Sequence, residues 1–85
     1  MLITDVVKLL KLDLEVRYVA ERTSWIASFS NTDVKGEGVL IGKYGDALTP
    51  GDAVRDYAKQ ISHETLVVSA YSPERREHPL GKVTY

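Results

Sequence analysis

The sequence predicts an α+β fold in the order α-β-β-β-α-β, a two-layer sandwich with its helices on one face of an antiparallel sheet. Three observations lead there. Two segments carry apolar residues at helical spacing, four read as strands, and the links between the first three strand segments are too short for crossovers.

Ile3, Val6, Val7 and Leu10 fall at i, i+3, i+4 and i+7, which is one face of a short helix. Thr4 or Asp5 is the expected cap, and Lys8 and Lys11 lie toward the negative end of the helix dipole. The period changes at Leu12-Asp13. Leu14, Val16, Tyr18 and Ala20 then alternate with Glu15, Arg17, Val19 and Glu21, as in a half-buried strand. Arg22-Thr23 turns the chain, and S-W-I-A-S-F-S over 24–30 resumes the alternation, with Trp25, Ala27 and Phe29 on one face. A domain this small needs its large apolar groups inside, so that face is expected in the core; turned outward, Trp25 would be an interface anchor. Asn31-Thr32-Asp33 reads as a loop, and residues 37–43 as a third strand centred on Val39, Leu40 and Ile41.

Thr49-Pro50-Gly51-Asp52 is a strong helix start: Thr49 caps, Pro50 suits the first helical position, and Asp52 takes the place of a capping-box acid. Ala53, Val54, Tyr57, Ala58 and Ile61 form the buried face of a helix running to residue 62. T-L-V-V-S-A-Y over 65–71 is the fourth strand. Residues 1–71 thus read as one domain, and 72–85 as a charged, proline-containing tail in which Lys82-Val83-Thr84-Tyr85 is a candidate edge strand.

Composition narrows the function classes. Eighty-five residues make a single small core, and the apolar and charged fractions of 44% and 27% are those of a globular chain. There is no cysteine, which removes disulfides, thiolate zinc sites and cysteine nucleophiles. The net charge of −1 gives no general attraction to nucleic acid or to an anionic membrane. The first residues lack an apolar run long enough for a signal or a span, so a soluble, cytoplasmic protein is expected.

Residues 42–54, G-K-Y-G-D-A-L-T-P-G-D-A-V, pose the one motif question. Neither the spacing of a P-loop nor that of a dinucleotide fingerprint is present. Gly42-Lys43-Tyr44-Gly45 matches the bare G-x-x-G of KH domains, but there two helices flank the loop and here a strand precedes it. The simpler reading is that Gly45-Asp46 turns the chain and Thr49-Pro50 starts a helix. His63 and His78 are the only histidines, too few for a zinc site, and no metal or other cofactor is expected. No Gly-x-Ser-x-Gly elbow occurs, and Asp52 and Asp56 read as a helix start and a surface partner of Lys59, so the chain does not read as an enzyme. Binding is the remaining class. Candidate partner-binding residues are Lys43 and Tyr44 at the end of the third strand, Tyr71, and Arg75 and Arg76 in S-P-E-R-R-E-H-P, beside an edge that strand addition could extend. Arg17 and Arg22 add basic groups near the first hairpin, and an exposed edge also suits a homodimer.

Three resemblances bear on function. The α-β-β-β-α order, with a glycine-rich turn before the last helix, resembles the topology of double-stranded RNA-binding domains. Where that family grips phosphates with K-K-x-A-K, this chain has Thr49-Pro50-Gly51-Asp52-Ala53-Val54, without one positive charge. Gly45, Thr49, Asp52-Ala53-Val54 and Ala58 are similar to the glycine, threonine and E-E-A helix that follow the meander of HicB-type antitoxins, over residues 14–70. That likeness implies a regulator binding a toxin or nucleic acid. Trp25-Ile26-Ala27-Ser28-Phe29, the T-P-x-x-A-x-x-D-Y helix from Thr49 to Tyr57, and Leu66-Val67 resemble small uncharacterised bacteriophage proteins. This likeness implies a binding protein that occupies and inhibits a host protein in the bacterial cytoplasm, CRISPR nucleases and other defence effectors among them.

Overall fold

The chain runs α1 (Ile3–Leu10), β1 (Leu14–Val19), β2 (Ser24–Phe29), β3 (Thr32–Lys35), β4 (Leu40–Ile41), β5 (Gly45–Ala47), α2 (Pro50–Ile61), β6 (Thr65–Val68) and β7 (Arg76–Pro79). These elements come from a computed structural model that describes residues 1–85. All pairings between these strands are antiparallel, and the class is α+β as predicted. The strand plan is richer than the predicted four. One sheet has the order β1-β2-β5 and the other β4-β3-β6-β7.

A single bend accounts for both sheets. β2 and β3 are one chain run interrupted only by Ser30-Asn31, and Asn31 has a positive φ of 51°. Ala27 and Phe29 are buried before the bend and Val34 after it, so the inward parity changes from odd to even: one extra residue has been inserted, as in a β-bulge. Ser30 N–H donates to the Asp13 carbonyl at 2.9 Å and Ser69 N–H donates to the Asn31 carbonyl at 3.1 Å. β1 therefore hands over to β6 along one side of the run, as β5 hands over to β4 along the other.

Six sequence expectations change accordingly. The first strand ends at Val19, and Ala20–Arg22 is a 3₁₀ turn. Gly45-Asp46 does not turn the chain but lies in β5. Asn31-Thr32-Asp33 is not a loop but the bend and the start of β3. Residues 37–43 pair only at Leu40–Ile41, because Gly36 and Gly38 close a tight hairpin there, with Gly36 N–H on the Val39 carbonyl at 2.9 Å and Gly38 at φ 72°. The strand expected over 65–71 stops at Val68, where Ser69 turns into the left-handed region at φ 56°. The expected tail is integral to the fold: residues 76–79 form the edge strand β7, Val83 is buried in the core, and Thr84 bridges to Leu2.

Both helices use the predicted faces. Ile3 and Val6 of α1, and Ala53, Val54, Tyr57, Ala58 and Ile61 of α2, are buried against Ala27, Phe29, Val34, Leu66 and Val68. Trp25 packs, partly buried, on the margin of this cluster, edge-on to Tyr18 at 5.6 Å between ring centroids. Thr49 caps α2 through its hydroxyl, which accepts from Asp52 N–H at 3.2 Å. For α1 neither Thr4 nor Asp5 caps: Leu2 holds that position, and Ile3 N–H donates instead to the Thr84 carbonyl at 2.7 Å. No helix is long and apolar enough to cross a membrane.

α2 lies on β5 backbone to backbone. A Cβ at Gly45 would stand 2.5 Å from the Tyr57 nitrogen and closer still to the Ala53 carbonyl oxygen. Two side chains of α2 then reach the sheet. Asp56 Oδ2 accepts from Asp46 N–H at 3.0 Å, so Asp56 secures β5 rather than pairing with Lys59 on the surface. The buried Tyr57 hydroxyl accepts from Phe29 N–H at 3.1 Å, a donor left over where β5 has ended and the bend begins.

Gly45→Ala is expected to cost about 3 kcal/mol or more, since the new methyl meets helix backbone and not a movable side chain. Urea unfolding followed by the fluorescence of Trp25 measures it. Tyr57→Phe strands the buried Phe29 N–H and is expected to cost about 1–3 kcal/mol. Burial also raises the Tyr57 pKa above its ordinary 10.0. The unfolded chain therefore ionises first: this contribution is intact below pH 10 and falls as pH rises above it. The same unfolding series in alkaline buffers should show that decline in the parent protein and a shallower one in Tyr57→Phe.

Candidate functional site

The bend that splits the sheet also opens a groove of about 370 Å³ on the face away from α2. Strand alternation supplies its floor. Arg17 and Ile26 are direct cross-strand partners, and Val19 and Ser28 point the same way. Ile26 is only 8% exposed yet stands outside the core cluster, so this face carries its own small apolar floor. Gly42, Lys43 and Tyr44 form one wall, because the chain between β4 and β5 leaves the bent run there and cannot continue the ladder. Arg22, from the 3₁₀ turn Ala20–Arg22, closes the end.

Arg22 fixes the wall. Its guanidinium donates to the Tyr44 hydroxyl at 3.0 Å and to Asp46 Oδ2 at 2.5 Å, and lies 5.2 Å from the centre of the Tyr44 ring. The Tyr44 hydrogen bond and then the Asp46 charge raise the Arg22 pKa above its already high ordinary value, so it stays charged. Lys43 is tied to the end of α2, with its Nζ 3.4 Å from the Gln60 carbonyl and 3.5 Å from Glu64 Oε1. Arg17 makes no ion pair. The lining holds three cations and no carboxylate or imidazole, in a chain whose net charge is −1.

The structure thus joins Lys43 and Tyr44 with Arg17 and Arg22 of the first hairpin. The Arg17–Ile26 juxtaposition follows from alternation and a hairpin register. The Arg22–Tyr44 link, 22 residues apart, has no local signal.

The other three candidates lie elsewhere. Tyr71 is 91% exposed in the turn after β6. Arg75 pairs with Glu77 at 3.1 Å, and Arg76 donates to the Leu10 carbonyl at 3.4 Å, so both serve the β7 edge. Neither lines the groove.

No family model, curated protein or solved structure matches the chain. The groove is therefore read from its own chemistry. It can donate hydrogen bonds and positive charge to an anionic group, and it can stack a planar or apolar one on Tyr44 and Ile26. A second basic cleft, of about 540 Å³, lies between α2 and the C-terminal segment. Arg55, Lys59, His63 and Lys82 line it, with the Arg55 guanidinium 5.7 Å from the centre of the Tyr85 ring.

Glu77 lies between Lys35, at 2.9 Å, and Arg75. Lys35 first and then Arg75 hold its carboxyl below the ordinary 4.5. Its contribution to stability is therefore complete above pH 4.5 and lost as pH falls toward the depressed folded value. Carboxyl carbon NMR should place Glu77 below the usual glutamate range, and Lys35→Ala should move it back toward 4.5.

Proposed function

We propose that the protein is a binding module that acts by protein–protein contact, holding an acidic loop of its partner in the groove at the bend. The observation that carries this reading is the lining itself: Arg17, Arg22 and Lys43 surround a wall tyrosine and an apolar floor, with no carboxylate among them. Such a surface matches the composition of interface centres, where tyrosine and arginine are enriched. Binding is favoured over catalysis because the Ser28 and Thr32 hydroxyls in the groove have no histidine or carboxylate in the lining to take a proton from them. The resemblance to phage proteins supplies the partner class, a bacterial host protein such as a defence effector, whose nuclease activity the bound module would block.

A second reading has one observation of its own. The basic cleft with Arg55, Lys59 and Lys82 suits a phosphate backbone, which an antitoxin-like regulator would contact.

Affinity capture from bacterial lysate, repeated with variants, tests both. Lys43→Glu and Tyr44→Ala should each lower partner retention at least tenfold with the unfolding midpoint held. Retention lost instead in Tyr71→Ala, Arg75→Ala or Arg76→Ala would move the interface to the β7 side and sink the groove. A gel shift that Lys59→Glu and Lys82→Glu abolish would establish the regulator reading.

A further inference from the structure

β1 is an edge strand, and its exposed residues form a self-complementary code. The hydrogen bond from Ser30 N–H to the Asp13 carbonyl fixes which way each residue of β1 faces. In the β1–β2 register, residues 13, 15 and 17 turn their N–H and C=O groups toward β2. Leu14, Val16 and Tyr18 turn theirs outward, to an edge with no strand beside it. Only the charges of Glu15 and Arg17 blunt that edge. It contains no proline, it keeps ladder pairing with β2 along all of its residues, and Glu15, Val16, Arg17 and Tyr18 are all exposed.

We propose that β1 pairs antiparallel with β1 of a second copy, centred on Val16, so that a two-fold axis joins the two sheets. Only residues with outward N–H groups can form the hydrogen-bonded pairs, which restricts the registers to Val16 on Val16 or shifts of two residues from it. The centred register places Glu15 opposite Arg17 of the second copy, and Arg17 opposite its Glu15. These are non-hydrogen-bonded positions, where side chains approach most closely. Shifting the register by two in one direction puts Glu15 on Glu15; the other direction puts Arg17 on Arg17. Charge therefore selects one alignment among those the backbone allows.

The side chains agree with that alignment on both faces. Arg17 has no ion-pair partner within its own chain, and Glu15 takes only the Ser30 hydroxyl. On the opposite face, Val16 would cover Val16, and Leu14 would extend the edge-on contact of Tyr18 with Trp25. Both Val16 and Tyr18 are more exposed than apolar groups on a core-facing register should be, at 36% and 53%. The second copy also brings a carboxylate to the β1 rim of the groove. Pairing along one short strand covers less than a standard interface of roughly 1,600 Å², so the dimer is expected to exchange with monomer on dilution.

Sedimentation equilibrium across micromolar to millimolar protein reads this without knowledge of any other partner, so its result is separate from that of the groove. Wild type should self-associate. Glu15→Arg and Arg17→Glu should each weaken self-association at least tenfold, because like charges then face one another twice. An equimolar mixture of these two variants should associate as a heterodimer, and the double variant should regain the homodimer. Recovery in the mixture can come only from folded chains, so loss of folding does not mimic it. Wild type monomeric throughout would overturn the proposal, as would single variants that dimerise undiminished or a mixture that stays monomeric.

Discussion

The structure depends on the contact of α2 with β5 through Gly45. Any side chain there would meet the backbone of Ala53 and Tyr57. Without it the helix would sit farther from the sheet, and the two polar reaches from α2 would fail together. Asp56 would no longer meet Asp46 N–H, and the Tyr57 hydroxyl would no longer meet Phe29 N–H. The second loss matters most. A bend in a sheet interrupts a ladder, and every interrupted ladder leaves backbone donors that must find partners when buried. Tyr57 is the partner for this one. The helix thus does more than cover the apolar face: it makes the bend affordable by partnering the buried Phe29 N–H.

The bend in turn produces both faces of the molecule. Its extra residue keeps Ala27 and Phe29 inward on one side and Val34 inward on the other, so one core serves two sheets. On the outer side it breaks the match with the β4–β5 segment, and Gly42, Lys43 and Tyr44 are pushed out as a wall. Core and groove are two consequences of one inserted residue. Arg22 and Lys43 then stiffen that wall from opposite ends, one through Tyr44 and Asp46, the other through Glu64 and the end of α2.

How much of this was readable in the sequence follows the range of the interactions. The α2 start, its buried face and the existence of strands at 14–19 and 24–29 are local, and each holds in the structure. The half-buried alternation expected over 14–21 does not: Val16 and Tyr18 are exposed and Ala20–Arg22 is a 3₁₀ turn. The bend at Ser30-Asn31 carries no distinctive local signal, because asparagine suits a loop and a left-handed bulge equally. The apolar run Val39-Leu40-Ile41 read as strand, yet Gly36 and Gly38 spend part of it in a hairpin turn. The last residues read as a charged tail with a candidate edge strand because charge and proline dominate there. What ties them to the fold is buried Val83, partly buried Leu80 and backbone hydrogen bonds with Glu64, Ser62 and Ile3, all of them long-range. Lys43 and Tyr44 were visible as candidates from their place in a glycine-rich segment. Their grouping with Arg17 and Arg22 was not, since it requires knowing where the sheet bends.

Charge distribution connects the groove to the edge. The chain has twelve carboxylates for eleven lysines and arginines, yet only five of those cations, Arg22 and Lys43 of the groove among them, form ion pairs. Arg17 is the cation of the groove left out, and it projects from the one long strand whose outer edge is open. Exposed ion pairs contribute little to stability, so Arg17 is not left unpaired at any great cost to the fold. What it changes is selectivity. An unpaired arginine beside a glutamate two residues away, on alternate positions of an open strand, discriminates by charge among the two-residue-shifted registers that backbone hydrogen bonding leaves open.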